Sequence, residues 1–250
     1  MALSINQTLA LSEVLRPGMK VASMGYPDLI APQEMLVDLF GTRMNYVDVR
    51  EDSDAICARH GLNQRPILDA LSMFKMLDAE LHVYDIVCER GCERLCDLNV
   101  EGDLEYAREA YDLVLDVGTS EHIMNIWQAL VNMAGSVKKD GYIIHENPHS
   151  GWGNHGFYSI HPTLFHDFYS ANGFSIEKCL LVARNGETQK PPLTKRFIQQ
   201  GEIDLNVFCV AKRLSIEAFK TVVQSKYCAS QAAPAAGVDR AKEIAHAGAN

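Results

Sequence analysis

The chain has 250 residues, 47% of them hydrophobic and 22% charged, which is the ordinary balance of a single globular domain. Its 32 acidic and 23 basic residues give a net charge of -9, and because this charge repels polyanions we do not expect a nucleic acid partner. No apolar run approaches the roughly 20 residues that cross a bilayer, the first residues lack a secretory signal and the seven cysteines are an odd number, so we expect a cytoplasmic protein with reduced thiols and no membrane partner.

Short apolar runs alternate along the chain with segments of helical periodicity. In chain order, the predicted elements are a strand at 20–24, helices at 32–40 and 67–77, strands at 81–86 and 111–118, a helix at 123–137, a strand at 142–145, a helix at 162–171, and strands at 174–182 and 204–212. Residues 42–79 lengthen the connection between the first two strands and are interpreted as an insertion.

This alternation predicts an α/β fold with a mainly parallel, doubly wound sheet that carries helices on both faces. The last two strands follow one another without a clear helix, which predicts an antiparallel strand at one edge of the sheet. We assign residues 1–227 to this single domain. Residues 228–250 are rich in alanine and glycine and are predicted to form a flexible or partly helical tail.

Glycines and polar side chains stand at the carboxyl ends of the predicted strands. Gly25 closes the first strand, Asp85 the second, Asp116 and Gly118 the third, and His145 the fourth. Ligands of open α/β sheets bind at this edge, where a glycine lets the backbone approach a cofactor and a carboxylate can accept both hydroxyls of a ribose. Because glycines and polar side chains occur at successive strand ends, the sequence predicts a cofactor site at this edge of the sheet.

Several segments resemble the class I S-adenosylmethionine-dependent methyltransferases, above all residues 97–99 (DLN) and 111–122 (YDLVLDVGTSEH). The turn at 138–141 is similar to the lysine-proline-glycine-glycine turn of that family, and residues 154–158 (NHGFY) resemble a branch that acts on small molecules. The resemblance covers residues 18–212. It implies a Rossmann-like sheet of seven strands, S-adenosylmethionine as the cofactor, and a small-molecule acceptor that is methylated on oxygen or nitrogen.

The resemblance also implies a role for each strand end. Gly25 and its neighbours would line the methionine end of the cofactor, Asp85 would bind the ribose hydroxyls, and Asp97 would flank the adenine. The segment 116–119 would lie beneath the sulfonium. The implied cofactor residues are Met24, Gly25, Asp28, Asp85, Ile86, Asp97, Leu98, Asn99, Asp116, Gly118 and Thr119.

The acceptor side carries the candidate bases. A hydroxyl or a protonated amine must lose a proton when it is methylated, and histidine suits this task near neutral pH, so His145 and His155 are the candidates. A carboxylate acceptor would need no base. No metal ligand is predicted. The residues that the resemblance places against the acceptor are His122, Glu146, Asn154, Phe157 and Tyr158.

The first glycine motif departs from the family pattern. The family has an acid followed by three alternating glycines, whereas Ser23–Leu29 has one glycine, and Asp28 would have to replace the missing acid. Asp48 lies nearer the usual distance from the first strand and competes with Asp85 for the ribose. The spacing from Asp85 to Asp97 favours Asp85.

Other functions stay open. A non-catalytic binding module would keep the fold after its glycine motif has lost the cofactor. A dinucleotide-dependent oxidoreductase would need a Gly-x-Gly-x-x-Gly turn after the first strand, which is absent. Cys88, Cys92 and Cys96 are spaced by four and are interpreted as one helix face, not as iron–sulfur ligands. The sequence does not distinguish a monomer from a homodimer.

Overall fold

A computed structural model describes residues 2–195, 197 and 204–228, and its centre is an eight-stranded sheet. The strands are β1 Ala2–Leu3, β2 Lys20–Met24, β3 Asp28–Leu29, β4 Glu80–Asp85, β5 Glu93–Leu95, β6 Tyr111–Asp116, β7 Val137–Ser150, β8 Phe174–Ala183, β9 Thr188–Gln189 and β10 Leu205–Arg213. The helices are α1 Ile5–Val14, α2 Gln33–Phe40, α3 Ser53–His60, α4 Ala70–Met76, α5 Ile126–Ser136, α6 Pro162–Ala171 and α7 Ser225–Cys228. No helix in the described ranges has the length and apolar character that crossing a membrane requires. The predicted tail lies, except for Cys228, outside the described residues.

The strand order of the sheet is β5-β4-β2-β6-β7-β10-β8-β9. The first five strands run parallel, and β10 lies antiparallel between β7 and β8. The chain enters the sheet at β2, winds outward through β4 and β5, and then crosses back to β6 and β7, so the direction of winding reverses between β2 and β6. The predicted α/β class with a mainly parallel, doubly wound sheet is confirmed, and the two-residue β9 adds an eighth strand beyond β8.

Both faces of the sheet are covered because successive side chains of a strand point to opposite faces. Val21 belongs to one core, which the sheet forms with α1, α2 and α4, and its neighbour Ala22 belongs to the other core, formed with α5 and α6. Burial on both faces explains why the central strands are nearly continuous apolar runs.

Three helices of the structure, α1, α3 and the four-residue α7, are absent from the sequence prediction. The start of α1 has a signature that is visible in the sequence. The Ser4 hydroxyl accepts a hydrogen bond from the backbone N–H of Gln7 at 3.1 Å, and the backbone N–H of Ser4 donates to Oε1 of Gln7 at 3.1 Å. This is a capping box. Helix α4 is shorter than the predicted 67–77 because Asp69 caps its first turn through the backbone N–H of Ser72.

Strand β7 is longer than the predicted 142–145 because residues 138–141 do not form a separate turn. Asp140 adopts a left-handed backbone with φ 65°, and the pairing with β6 shifts its register here. A Cβ on Gly141 would lie 2.9 Å from the carbonyl oxygen of Asp112, so a glycine is needed where the two strands pass. The segment that was predicted to be a turn is thus a bulge inside a strand.

The interpretation of three cysteines as one helix face is wrong. Cys92 and Cys96 flank β5, and Cys88 lies in the exposed loop before that strand. The spacing of four residues therefore does not reflect a helix in this segment.

Candidate functional site

The carboxyl ends of the parallel strands meet at one level. Met24 pairs with Tyr84 on one side and with Asp116 on the other, and Asp116 pairs with His145. We call this edge of the sheet the rim. Because the winding reverses between β2 and β6, the crevice for a ligand is expected at the part of the rim next to these strands.

A buried chain of hydrogen bonds lies beneath the rim. The Nδ1 atom of His145 is 2.8 Å from Oδ2 of Asp116, and its Nε2 atom is 2.6 Å from the hydroxyl of Tyr169. The imidazole is fully buried and stacks on Phe165 with ring centroids 4.3 Å apart. Both ring nitrogens of His145 are therefore occupied, and neither is free to take a proton from an acceptor. The structure favours a supporting role for this residue over the predicted role of base.

The Asp116 carboxylate is enclosed by its own protein. It accepts hydrogen bonds from the backbone N–H of Thr119 at 2.9 Å, from the hydroxyl of Ser120 at 2.6 Å and from the amide of Asn147 at 3.0 Å. Burial raises the pKa of Asp116, but His145 and these donors outweigh burial and hold the pKa below its usual range. A predicted cofactor residue is thus an internal anchor whose carboxylate does not reach solvent.

Glu121 is the site residue that the sequence analysis missed. Its side chain is 1% exposed, its Oε2 atom accepts from the Asn147 amide at 2.9 Å, and no hydrogen bond from the described residues reaches its Oε1 atom. Burial, and then the negative charge of Asp116, raise the pKa of Glu121 to about 7. The sequence shows an acid next to a histidine at 121–122, which could have indicated a site, but it does not show that the acid is buried.

Two histidines converge on the free oxygen of Glu121. The Nε2 atom of His155 lies 3.4 Å from Oε1, and the Nε2 atom of His122 lies 3.8 Å from it. Burial lowers the pKa of His122, and the neighbouring His155 lowers it further. These three side chains bring donor atoms within 4.8 Å of one another. We call them the Glu–His–His cluster.

The loop at 151–158 carries most of the predicted acceptor residues to this cluster. Backbone N–H groups of Phe157 and Tyr158 donate to the carbonyl oxygen of Glu121 at 2.9 and 3.2 Å. The Tyr158 hydroxyl donates to the carbonyl of Met124 at 2.7 Å. Asn154, with φ 56°, and Phe157 are exposed at the surface of the loop.

Glu146 is not brought to the acceptor side. Its carboxylate is buried beneath the start of α1, where it accepts hydrogen bonds from the hydroxyl of Ser4 and, at 3.1 Å, from the amide of Asn206. Burial raises its pKa. Glu146 therefore ties the N-terminal segment to the sheet.

Other parts of the protein contact the loop that follows β2. Gly25 has φ 86°, as a tight turn requires, and donates to the carbonyl of Tyr84 at 2.7 Å. The buried Met24 accepts a hydrogen bond from the Thr119 hydroxyl on its carbonyl at 2.5 Å. The guanidinium of Arg90 lies 4.3 Å from the ring centroid of the buried Tyr26. Tyr26 and Arg90 therefore lie at the part of the rim that would take the methionine end.

Asp28 is held by cations and is not free to bind an amino group. Its side chain is 1% exposed, and its oxygens lie 3.1 Å from Arg59, 3.2 Å from His60 and 3.4 Å from Arg90. Asp28 thereby positions three basic side chains beside the Gly25 turn. These cations suit the carboxylate of an amino acid better than its ammonium group.

We expect Asp28→Ala to lower the free energy of unfolding by about 1–2 kcal/mol, because Arg59 is half exposed and can regain water when its partner is removed. Chemical denaturation followed by circular dichroism measures this change. Asp38→Ala, at an exposed position of α2, is the matched control and should leave stability nearly unchanged. Equal stability of both variants would contradict a structural role for the Asp28 cage.

The other half of the rim is open and apolar. Asp85 ends β4 and is half-buried, and its Oδ1 atom caps the backbone N–H of Ile86 at 2.8 Å. The side chains of Ile86 and Leu95 are each 65% exposed. Asp48, the competing acid, lies outside the central sheet, on an exposed segment whose backbone N–H donates to Ser72 at 3.1 Å. Of the two acids, Asp85 alone stands at the rim.

The segment at 97–99 packs beside this apolar surface. Asp97 accepts hydrogen bonds from the backbone and side-chain N–H groups of Asn99, both at 2.9 Å. Asn99 in turn accepts from the backbone N–H of Asn125, the residue before α5. Leu98 is buried in the core, so its side chain would support an adenine-binding loop from behind.

Gly118 lies at the rim just after the end of β6. It has φ 86°, and a Cβ at this position would lie 3.3 Å from Oε1 of Glu121. Two surface clefts of about 420 and 500 Å³ lie elsewhere, between α6 and β8 and beside α5. We place the site at the rim because buried polar groups converge there.

The fold and the rim together define a doubly wound α/β protein with a polar switch point. No family model matches the chain, and no curated protein matches its sequence. Solved structures similar to it include 1,6-didemethyltoxoflavin-N1-methyltransferase of Burkholderia thailandensis, with bound 1,6-didemethyltoxoflavin and S-adenosylhomocysteine, at 15% identity over 83% of this chain and 78% of that chain, with a TM-score of 0.41. Another is a SAM-dependent methyltransferase from Archaeoglobus fulgidus, at 13% identity over 82% of this chain and 92% of that chain, with a TM-score of 0.43. Similarity at this level does not assign an activity.

Proposed function

We propose that the chain binds S-adenosylmethionine at the rim and transfers its methyl group to an oxygen or nitrogen atom of a small molecule. The observation that carries this proposal is the position of Asp85. It presents a half-buried carboxylate at the rim, next to the switch point and beside exposed apolar side chains. A nucleoside needs such a surface, since its ribose hydroxyls pair with the acid and its base covers the apolar groups.

The cofactor would lie across the ends of β4, β2 and β6. Asp85 would hold the ribose, Ile86 and Leu95 would pack on the adenine, and Arg90 would offer its charge to the carboxylate of the methionine end. When bound, S-adenosylmethionine supplies a methyl group on a sulfonium. The task of the protein is to hold the acceptor atom in line with that methyl group, and orientation of this kind can be worth on the order of 7–11 kcal/mol.

The acceptor would lie on the side of the Glu–His–His cluster. Phe157, 63% exposed, and Trp152, whose ring centroid lies 5.4 Å from that of His155, provide apolar surface there for a small molecule. Of the two predicted bases, His155 is the one whose imidazole reaches solvent, with 41% of its side chain exposed. A proton leaving the acceptor would therefore meet this cluster and not His145.

Calorimetry with S-adenosylmethionine and S-adenosylhomocysteine tests the proposal. We expect saturable binding of both. Adenosine alone should retain part of the affinity, because the nucleoside half of the rim is open, whereas methionine alone should not bind measurably. No heat from any of these ligands at millimolar concentration would exclude the proposed function.

A non-catalytic binding module is the second candidate, and the ion pairs around Asp28 favour it. Asp28, which would replace the acid missing from the first glycine motif, is held by Arg59, His60 and Arg90 and is not available to the amino group of the methionine end. This candidate predicts that adenosine binds as well as S-adenosylmethionine does. The methyltransferase predicts that S-adenosylmethionine binds more tightly, because its carboxylate gains the charge of Arg90.

A further inference from the structure

The Glu–His–His cluster has the composition of a metal site. Glu121 contributes a buried carboxylate oxygen that lacks a hydrogen-bond partner among the described residues, and His122 and His155 each contribute an Nε2 atom. Such an oxygen costs free energy unless something binds it. The two imidazoles can complete a coordination sphere around an ion at that point.

We propose that Glu121, His122 and His155 bind one divalent transition-metal ion and leave a coordination position open to the methyl acceptor. Two imidazoles and one carboxylate suit zinc and its first-row neighbours, and three protein ligands are typical of sites that bind a further molecule. Ligand atoms on one tetrahedral zinc ion lie about 3.4 Å apart. The distance from Glu121 Oε1 to His155 is 3.4 Å and equals this spacing. The distance to His122 is 3.8 Å, and all three ligand atoms lie within 4.8 Å of one another, so small side-chain shifts would complete the site.

The surroundings of Glu121 hold its oxygen toward the histidines. The Asn147 amide donates to Oε2 at 2.9 Å, which leaves Oε1 as the free atom. Asn147 is itself fixed to Asp116 at 3.0 Å, so the buried network beneath the rim orients the carboxylate. Side chains that form hydrogen bonds to the metal ligands, and so fix their orientation, are a regular feature of metal sites.

The glycine at 156 brings His155 close to Glu121. A Cβ on Gly156 would lie 2.8 Å from the carbonyl oxygen of Glu121 and 3.0 Å from its Cγ atom, whereas a Cβ on Gly153 would meet nothing within 4 Å. The loop can therefore dock on Glu121 only if residue 156 has no side chain. Gly156→Ala is expected to displace His155, and Gly153→Ala is its matched control.

The site also narrows the acceptor, and this step rests on the proposed function. A hydroxyl oxygen held by a divalent ion loses its proton more readily than a free hydroxyl. In the transfer, the bond from sulfur to the methyl carbon breaks as the bond from the acceptor oxygen to that carbon forms. The sulfur keeps the electron pair, and the hydroxyl proton passes to solvent. The class of acceptor is thus a small hydroxyl compound, not an amine.

Titration of the full chain with Co²⁺ and with Zn²⁺, in the absence of S-adenosylmethionine, tests the site. We expect one equivalent of Co²⁺ to bind with visible absorption bands, and Zn²⁺ to displace it. His155→Ala and Glu121→Gln, which keeps the shape of the side chain, should each weaken metal binding by more than about 100-fold. This loss exceeds the usual effect of changing a residue that only forms a hydrogen bond to a metal ligand. Gly156→Ala should weaken it by about 10-fold or more, whereas Gly153→Ala and the exposed His161→Ala should bind like the unchanged protein.

Failure of the metal site is distinguishable from failure of the proposed function. Absence of stoichiometric metal binding, or equal binding by all the variants, would overturn the metal site while leaving S-adenosylmethionine binding to be judged by calorimetry. Tight metal binding without any affinity for S-adenosylmethionine would keep the site but overturn the acceptor class. Circular dichroism of each variant identifies one that has lost binding because it does not fold.

Discussion

Asp116→Ala is expected to lower the free energy of unfolding by about 3–5 kcal/mol, because it leaves several buried hydrogen-bond donors without their shared acceptor. The carboxylate has no exposure to solvent and accepts hydrogen bonds from His145 and Ser120 at 2.8 and 2.6 Å. Without it, the imidazole of His145 and the amide of Asn147 lose an acceptor in the protein interior. The change also removes the side-chain hydrogen bonds that join Asp116 of β6 to His145 and Asn147 of β7.

Denaturant unfolding of Asp116→Ala measures this loss, with the exposed Asp38→Ala as the control. Asp116→Asn keeps one oxygen that can accept a hydrogen bond, so it should lose less stability and remains measurable if the alanine variant does not fold. Wild-type stability in both Asp116 variants would show that the buried network does not support the fold.

Asp85→Ala is expected to weaken S-adenosylmethionine binding by about 10- to 150-fold, which corresponds to the roughly 1.5–3 kcal/mol of a hydrogen bond to a charged group. Asp85 stands at the carboxyl end of β4, the strand that pairs with β2 at the switch point. Because its carboxylate is half-buried and not enclosed like that of Asp116, it can still meet the hydroxyls of a ribose. Removal of the side chain should leave the fold almost unchanged.

Asp48→Ala is the matched control for Asp85→Ala, since both acids were candidates for the ribose. Asp48 is exposed and lies outside the central sheet, so its removal should leave the affinity unchanged. Calorimetry on both variants decides between them. Weakened binding in Asp48→Ala with normal binding in Asp85→Ala would transfer the role to Asp48 and contradict the placement of the cofactor.

The strand ends of the sheet could be predicted because the signals are local. The apolar run at 20–24 and the run at 111–116 each end in a glycine or an acid, and parallel strands bring their ends to one edge. The capping box at Ser4 was equally readable, and its omission is the reason α1 is absent from the prediction. The segment at 138–141 was predicted to be a turn because a bulge inside a strand uses the same residue types as a turn.

The roles of individual side chains could not be predicted in this way. His145 and His155 are both histidines near a strand end, but one is sealed against Asp116 and the other stands in a solvent-facing loop beside Glu121. Asp28 matched the missing acid by position, yet Arg59 and Arg90 hold it. Each outcome depends on partners that are distant in the chain.

Hydrophobic periodicity and glycine placement were thus sufficient for the α/β class, the order of most elements and the edge where a ligand would bind, because these properties depend on neighbours within a few residues. Burial and charge pairing required the folded chain. Asn147 on β7 binds one oxygen of Glu121 and leaves the other free, and the histidine neighbour His155 comes from the loop that docks on Glu121 through Gly156. No spacing along the sequence encodes contacts of that kind, since they arise only when the strands pack side by side.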